Sequence, residues 1–567
     1  MNTTTSLFGP HVHIIDESCS IDDINQLGSS LFTQLEKAQF GSQRVALLFK
    51  PGHYQTDFNV GFYTQVAGLG LKPTDTVLSK LTVNAQWLGR GNATCNFWRS
   101  VENLTLDSDT TWAVSQAAPM RRLQVNGNLA LHDKGYASGG FLADSVITGN
   151  VDSGPQQQWI SRNDRWGSWT GWNWNMMFMG VNDQCPDPTQ HTKTAGQWPV
   201  VPYTFIDEVP IVREKPFLVW HNNAYFVYVP SYRLQSKDVS WLAPVDEGTL
   251  LPLDHFYIVK EDVDLTPEHA NHALASGKHL LITPGVYHWD TRLHVIHSGS
   301  IVLGLGYASL VATAGHRCIE VNDGEGMIIA GLLLDAGETT SVELMRVGQP
   351  GTTYQSHNPI LLSDLFFRVG GTPTPHPTRA ETCLVIHSHR VIGDHFWIWR
   401  ADHGTFSKWG ENDAMTGLIV NGNDVTIYGL FVEHFQGYNT IWNGERGRVY
   451  FYQNEIPYDV PYQTNWMSHE GTKCGYAQYK VSDHVKNHVA VGLGIYGVFL
   501  HNLEKLELTS AIEAPVGEGI RIENAMTMMI VEKGKNPPAS AGTIIRYIVN
   551  NRGPIASSHS RLHRLVR

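Results

Sequence analysis

Two glutamates carry the clearest chemistry in this sequence. Glu455 closes an aromatic, strand-like run, Val449-Tyr450-Phe451-Tyr452-Gln453-Asn454-Glu455, and Glu433 closes another, Leu430-Phe431-Val432-Glu433. They stand 22 residues apart (455 − 433), close to one coil of a parallel β-helix. Equivalent positions on successive coils stack at about 4.8 Å, the spacing between paired strands. A lone glutamate with a pKa of about 4.3 is ionised at neutral pH. Two stacked, partly buried carboxyls disfavour a second charge, so one of them keeps its proton. Glycosidic hydrolysis needs such an acid at the leaving oxygen and a means of activating water. The competing reading is a pair of ordinary surface ion pairs, with Arg446 or Arg448 as partners. Stacking at about 5 Å is the separation of retaining glycosidases, whereas inverting pairs lie roughly 6.5–9.5 Å apart. Spacing alone therefore leaves the stereochemistry open.

The elements that must hold this pair are strands. Leu47-Leu48-Phe49-Lys50-Pro51-Gly52-His53-Tyr54 is echoed by Leu281-Ile282-Thr283-Pro284-Gly285-Val286-Tyr287, with the prolines 233 residues apart (284 − 51). Each segment leads to an apolar strand and a Gly-Leu-Gly corner, Gly68-Leu69-Gly70 and Gly304-Leu305-Gly306. Shorter strand–corner–strand units recur around residues 326–335, 359–367, 391–399 and 425–432, and in the first half around 97–104, 112–116 and 123–125. Duplicated openings and short repeats predict an all-β fold: two tandem right-handed parallel β-helices with a connecting segment. The expected boundaries are 1–210 for the first β-helix, 211–265 for the connector, 266–535 for the second β-helix and 536–567 for a C-terminal tail. Thr266–Ser276 is expected as a helix capping the second β-helix.

Composition narrows the function. Charged residues make up only 17% of the 567, which fits extensive buried sheet. The net charge of −12 and the lack of a basic stripe exclude nucleic acid as a partner. No apolar run approaches the ~20 residues of a membrane span. The six cysteines form no CxxC pair, so no zinc site is expected, and their count leaves disulfides undecided. Two His-x-His pairs, His11/His13 and His387/His389, lack a third ligand at a fixed spacing and are read as hydrogen-bonding residues. No metal and no cofactor are expected. The opening Met1-Asn2-Thr3-Thr4-Thr5 has neither a basic nor an apolar leader region, so no signal peptide is visible in this chain. Secretion and a monomeric state are nonetheless expected.

The run from Val432 through Gly444 and on to Tyr450–Asp459 resembles the glycoside hydrolase family 55 β-1,3-glucanases, or laminarinases. Trp112–Pro119, Tyr136–Phe141 and Gln156–Asn163 are similar to segments of its bacterial members, and the resemblance spans about 40–535. It implies tandem β-helices with the site in the cleft between them, and inverting, exo-acting release of glucose from β-1,3-glucan. It implies Glu455 as the general acid and Glu433 beside it, tuning its pKa or helping to hold water. Gln116 and Ser138 are the expected water-holding groups, with Gln158, Ser161 and Arg162 as rivals. Gln158 and Arg162 are also candidate substrate contacts. Among the aromatics, Trp159, Trp166, Trp442 and Tyr458 are expected to bind sugar, the remaining tryptophans to fill the core. Two other readings use the same architecture. A polysaccharide lyase would need acidic Ca²⁺ clusters and a Lys or Arg base, and a non-catalytic glycan-binding β-helix would leave the glutamates dispensable. Asp402-His403-Gly404 resembles part of a polygalacturonase site, but its companion Asp pair is missing, so it is read as a coil corner.

Overall fold

The computed structural model describes residues 5–182, 202–242, 248–497, 505–529, 545–554 and 559–564. It is nearly all β, and almost every long pairing is parallel. Between Val12 and Ile206 fifteen strands join one sheet, and Phe58–Asn59 pairs with Leu81–Thr82 apart from it. From Phe256 onward they form two large sheets, of thirteen and ten strands, and a small antiparallel pair, Met467–Ser468 on Lys473–Cys474. Strands such as Val45–Phe49 and Ile360–Val369 are buried at every residue, the continuous apolar pattern of parallel strands covered on both faces. Between the two sets lie antiparallel strands, Val209–Val212 on Arg233–Ser236 and Phe217–His221 on Ala224–Val229. The predicted helix is present at Glu268–Ala275. Of the segment expected as a tail, Ile545–Val549 pairs parallel with Leu508–Glu513, and His559–Arg564 runs antiparallel to Ile520–Met529. Among the described residues no helix is long and apolar enough to cross a membrane.

Register in the thirteen-stranded sheet places the site. Asp335 pairs with Arg368, Arg368 with Trp399, Trp399 with Glu433, and Glu433 with Glu455. These residues form one file along the sheet. Their side chains meet the first set of strands: Arg368 donates to the Tyr63 hydroxyl at 2.7 Å, Trp399 lies 5.9 Å from the Trp98 ring, and Glu433 meets Gln116.

Buried charges join the two sets. Arg121 binds Asp364 through two nitrogens, at 2.8 and 2.7 Å, and Asp394 at 2.7 Å. Arg162 pairs with Glu214 and Asp394, and Lys215 with Glu102 and Asp364. Burial alone would raise the Asp364 pKa, but Arg121 and Lys215 hold it well below the usual carboxylate range. Removing one partner of such a network strands the others. Arg121→Ala is expected to cost about 3–5 kcal/mol, read as a lower denaturant midpoint. Arg121→Lys should not restore it, because an ammonium cannot fork across two carboxylates.

Candidate active site

Glu433 and Glu455 end neighbouring strands, Thr426–Glu433 and Gly447–Glu455, and pair directly. Glu433 is only 2% exposed. One of its oxygens accepts from Gln116 Nε2 at 2.9 Å and the other from Trp397 Nε1 at 2.8 Å. Both donors are neutral. Burial, and then the Glu455 charge, push the Glu433 pKa well above its ordinary value. Glu455 is closer to solvent, with 12% of its side chain exposed. It accepts from the Tyr458 hydroxyl and from Gln453 Nε2. Its pKa is also raised, chiefly by burial, with His434 acting in the opposite direction. Neither carboxyl meets a fixed cation. Arg446, a possible neutralising partner from sequence, forms a bidentate pair with Asp424 at 2.8 and 2.7 Å.

His434 connects this pair to a second one. Its backbone is left-handed (φ 68°), and its Nδ1 donates to the Ile456 carbonyl at 3.0 Å. Its Nε2 therefore faces two carboxylates, Glu455 and Asp402, each at 3.8 Å. The Tyr458 ring packs on it at 4.3 Å. Asp402 is also bound to His403 at 3.0 Å. Burial works against the His403 imidazolium, but Asp402 pushes its pKa up to about 10. Burial likewise opposes ionisation of Asp402, and His403 still holds it well below the carboxylate range. Arg400 anchors the neighbouring chain by bonding Asp459 and the His434 carbonyl. The Asp402-His403 corner read from sequence thus lies against the carboxylate pair. Asp402, His434, Trp397 and Gln453 had no signal in the spacing of 22. Counting back one strand from Glu433 to its register partner Trp399 would have exposed Trp397 and Asp402.

The structure sorts the other expected residues. Gln116 reaches Glu433 across the junction from a left-handed backbone (φ 36°), and its carbonyl accepts from His395 Nε2 at 3.1 Å. Its side-chain oxygen is buried without a partner. Ser138 belongs to the next layer: Ser115 pairs with Gly139, and Ser138 N donates to Ser115 Oγ at 2.8 Å. The Gln158 amide is turned onto the Ser138 carbonyl. Tyr458 bonds Glu455. Four expected substrate contacts are corrected. Trp159 and Trp166 lie in the core of the first set, and Trp442 in that of the second. Their inward strand positions are closed by neighbouring layers, as where the Trp159 ring covers Gly140. Arg162 is fully buried with Glu214 and Asp394, so it has no free donor to turn to a sugar. The rings that do reach the site are Trp397, Trp399 and Tyr458, with Trp397 and Trp399 stacked at 4.7 Å. His387 meets Asn421, and His389 accepts from the Asn423 backbone. Among the described residues no three His, Cys, Asp or Glu side chains converge as a metal cage requires. The five described cysteines are free, and Cys185 lies outside the described residues.

Three comparisons bear on this arrangement. A family model described as a LAM55 pectate lyase-like domain matches residues 258–455. An exo-beta-1,3-glucanase from Streptomyces sp. (strain SirexAA-E / ActE) is 42% identical over 536 residues, 93% of this chain and 85% of that protein. The solved structure of sacteLam55A from Streptomyces sp. SirexAA-E superposes with a TM-score of 0.90 at 40% identity, covering 98% of both chains. A glutamate-to-alanine variant of sacteLam55A in complex with glucose superposes at 0.91, with the same identity and coverage.

The raised Glu433 pKa has a consequence for stability. Glu433 holds its proton more tightly folded than unfolded, so ionising it costs stability as pH climbs above the unfolded value of about 4.3. Glu433→Gln removes that cost. The new amide can be satisfied by turning the Gln116 amide so that its unpartnered oxygen accepts. The variant's thermal midpoint should gain on wild type as pH rises from about 4.3 until Glu433 itself is ionised. Scanning calorimetry across pH tests this, and a gain that shrinks with rising pH would contradict it.

Proposed function

The chain belongs to the family 55 β-1,3-glucanases, and from that premise we propose that it hydrolyses β-1,3-glucan, releasing glucose from a chain end with inversion. The observation that carries this reading is the buried Glu433–Glu455 pair with no fixed cation, one member reaching solvent and the other tied to the opposite set of strands.

In this reading Glu455 is the acid. Its raised proton affinity keeps it loaded, and its oxygens lie at the exposed end of the strand. As the glycosidic C–O bond breaks, the Glu455 proton passes to the departing oxygen, and water adds to the sugar carbon from the opposite face. Glu433 stacks close enough to be a nucleophile by distance alone. Its burial, and donors on both of its oxygens, argue against that role. Water is therefore the attacking group, held by Gln116 through its free side-chain oxygen and by Ser138. Glu433 orients Gln116, and burial with the Asp402 charge raises the Glu455 pKa. Tyr458 supplies an apolar wall for the terminal ring, and the buried Trp397 and Trp399 back Glu433 from behind. The parallel sheets are read as two tandem right-handed β-helices, over 1–210 and 266–535, with 211–265 as connector and 536–567 as tail. The protein is placed outside the cell, where its polymeric substrate is, and acts as a monomer.

Two measurements test the site. Glu455→Gln should abolish glucose release from laminarin with an unchanged melting curve, and NMR of the first wild-type product should show the α-anomer. Wild-type turnover in the variant, or a β-anomer, overturns the reading. Asp402 raises the Glu455 proton affinity, so Asp402→Asn should move the alkaline limb of kcat/KM to lower pH. A limb that stays in place, or moves up, removes Asp402 from the tuning of the acid.

A further inference from the structure

Buried guanidiniums in this protein are mostly held by carboxylates, Arg121 and Arg162 by two each and Arg368 by Asp335. Arg44 is 1% exposed, and among the described residues no carboxylate comes within ion-pair distance of it. Its Nε donates to Ser309 Oγ at 2.9 Å, and its Nη1 to the Gly41 and Gln43 carbonyls at 2.8 and 3.1 Å. The guanidinium carbon lies 3.6 Å from the centre of the Tyr63 ring. Nη2 has no hydrogen-bond partner among the described residues. Burial draws the Arg44 pKa down to about 10, with Asp335 and Glu261 opposing only from farther away, so it stays a cation at neutral pH. Arg44 lines a cavity of about 440 Å³ between the two sets of strands. Arg99 and Arg213 also lack a carboxylate, but neither lines this cavity. Arg99 packs on the Phe62 ring at 4.4 Å with its unpaired nitrogens sealed, and Arg213 bonds Asn358 at 2.6 Å. A buried cation with one free donor beside open space is a place for an anion.

The other walls narrow the kind of anion. Phe40, Val286, Val311, Pro373 and Pro375 make an apolar surface that a bare inorganic ion would leave uncovered. The hydroxyls of Ser42 and Thr372 also line the cavity, and neither has a hydrogen-bond partner among the described residues. Asp335 and Arg368 spend their charges on each other in a bidentate pair at 2.7 and 2.8 Å. Glu338 lies exposed on the lining and repels a second negative charge. The volume is that of a small-molecule pocket. One negative charge, a carbon skeleton and several hydroxyls match this set of groups.

We propose that this cavity is a binding site for a small hydroxylated monocarboxylate, a sugar acid in class, whose carboxylate pairs with the Arg44 guanidinium. The inference is independent of the hydrolytic reading above and uses none of the groups around Glu455. Arg44 and Ser42 come from the first set of strands, Val311 and Thr372 from the second, so neither half forms the site alone. A ligand held there bridges the two halves. It binds only the folded, docked protein and therefore stabilises it in proportion to its occupancy. Recognition depends on the charge, because the carboxylate supplies the partner that Arg44 lacks.

D-Gluconate and D-glucitol are the probes, since they share one hydroxylated carbon chain and differ in a terminal carboxylate against an alcohol. Gluconate should raise the thermal midpoint of the full chain and bind in calorimetric titration, and glucitol should do neither. Arg44→Met should weaken gluconate binding by at least about tenfold. Because Arg44→Met also removes contacts to Ser309 and Tyr63, a second variant leaves Arg44 in place. Ser42→Glu, at an exposed position of the lining, supplies a tethered carboxylate in competition with the ligand and should weaken gluconate by roughly tenfold, whereas Ser42→Gln should not. Melting curves without ligand establish that each variant is folded, and the Ser42 pair decides if Arg44→Met is not. No gluconate binding up to millimolar concentration, an equal response to glucitol, or an unchanged affinity in the folded Arg44→Met or Ser42→Glu variant overturns the proposal. Inorganic phosphate binding as tightly as gluconate, and lost in the same variants, overturns the assignment to a hydroxylated organic acid.

Discussion

One guanidinium sets the relation between the two halves. Arg121, from the first set of strands, binds two carboxylates of the second, Asp364 and Asp394. Asp364 in turn holds His395 Nδ1 at 2.9 Å, and His395 Nε2 bonds the Gln116 carbonyl. The Gln116 side chain then meets Glu433. Four contacts thus lead from a buried ion pair to Glu433, the register partner of Glu455. Charges removed from water cost several kcal/mol each unless paired. A shift of one set past the other would strand Arg121, Arg162 and Lys215 together, so the junction tolerates little sliding. The site inherits that rigidity, because neither half contains it alone.

The two glutamates are equivalent in register and unequal in surroundings. Glu433 is enclosed, with an amide and an indole as donors. Glu455 lies nearer solvent, beside a phenol, an amide and an imidazole. The cations that could quench the pair are held elsewhere, Arg446 by Asp424 and Arg400 by Asp459. Asp402 adds negative potential while being neutralised on its far side by His403. A proton on this pair is therefore kept by burial and by neighbouring negative charge, the combination that makes a carboxylic acid available near neutral pH.

Much of this was legible in the sequence because a stacked sheet repeats itself. The spacing of 22 residues matched one layer, and Glu433 does pair with Glu455. Gln116 and Tyr458, taken from a family motif, do bond the two carboxylates. Layers of unequal length hid the rest. Trp399 and Glu433 are also register partners, yet they are 34 residues apart (433 − 399), because a long loop after Arg400 intervenes. That loop carries Asp402 and His403, so a search at constant spacing passes over them. Trp159 failed for another reason. Gln158–Arg162 is buried at every position, so no alternation distinguishes a ring that faces the cleft from one that fills the core. Arg162 finds its partners 52 and 232 residues away, and no local pattern predicts such pairings.

The backbone shows how a repetitive sheet acquires a specific junction. In the thirteen-stranded sheet, Gly331, Asp364, His395, Gly429, Phe451, Gly492 and Asn524 occupy equivalent breaks in register, and all are left-handed. Glycine adopts this conformation freely, whereas other residues pay roughly 1–3 kcal/mol. The residue at each break follows from what the first set presents to it. At Gly429 a Cβ would come within 2.9 Å of the Phe141 ring, and at Gly492 within 2.5 Å of Met177. There the first set approaches too closely for a side chain. Asp364 and His395 stand where it instead offers Arg121 and the Gln116 carbonyl. The first set answers with its own left-handed file, Asn103, Arg122, Asp144, Asn163 and Gly180, whose polar side chains bond one another and the connector. The strained bends are thus the positions at which a uniform stack can turn a charged or polar group outward. The ion pair that docks the halves and the hydrogen bonds that aim Gln116 at Glu433 both start from them. Docking and site assembly are one event, set by which bends carry a side chain and which carry none.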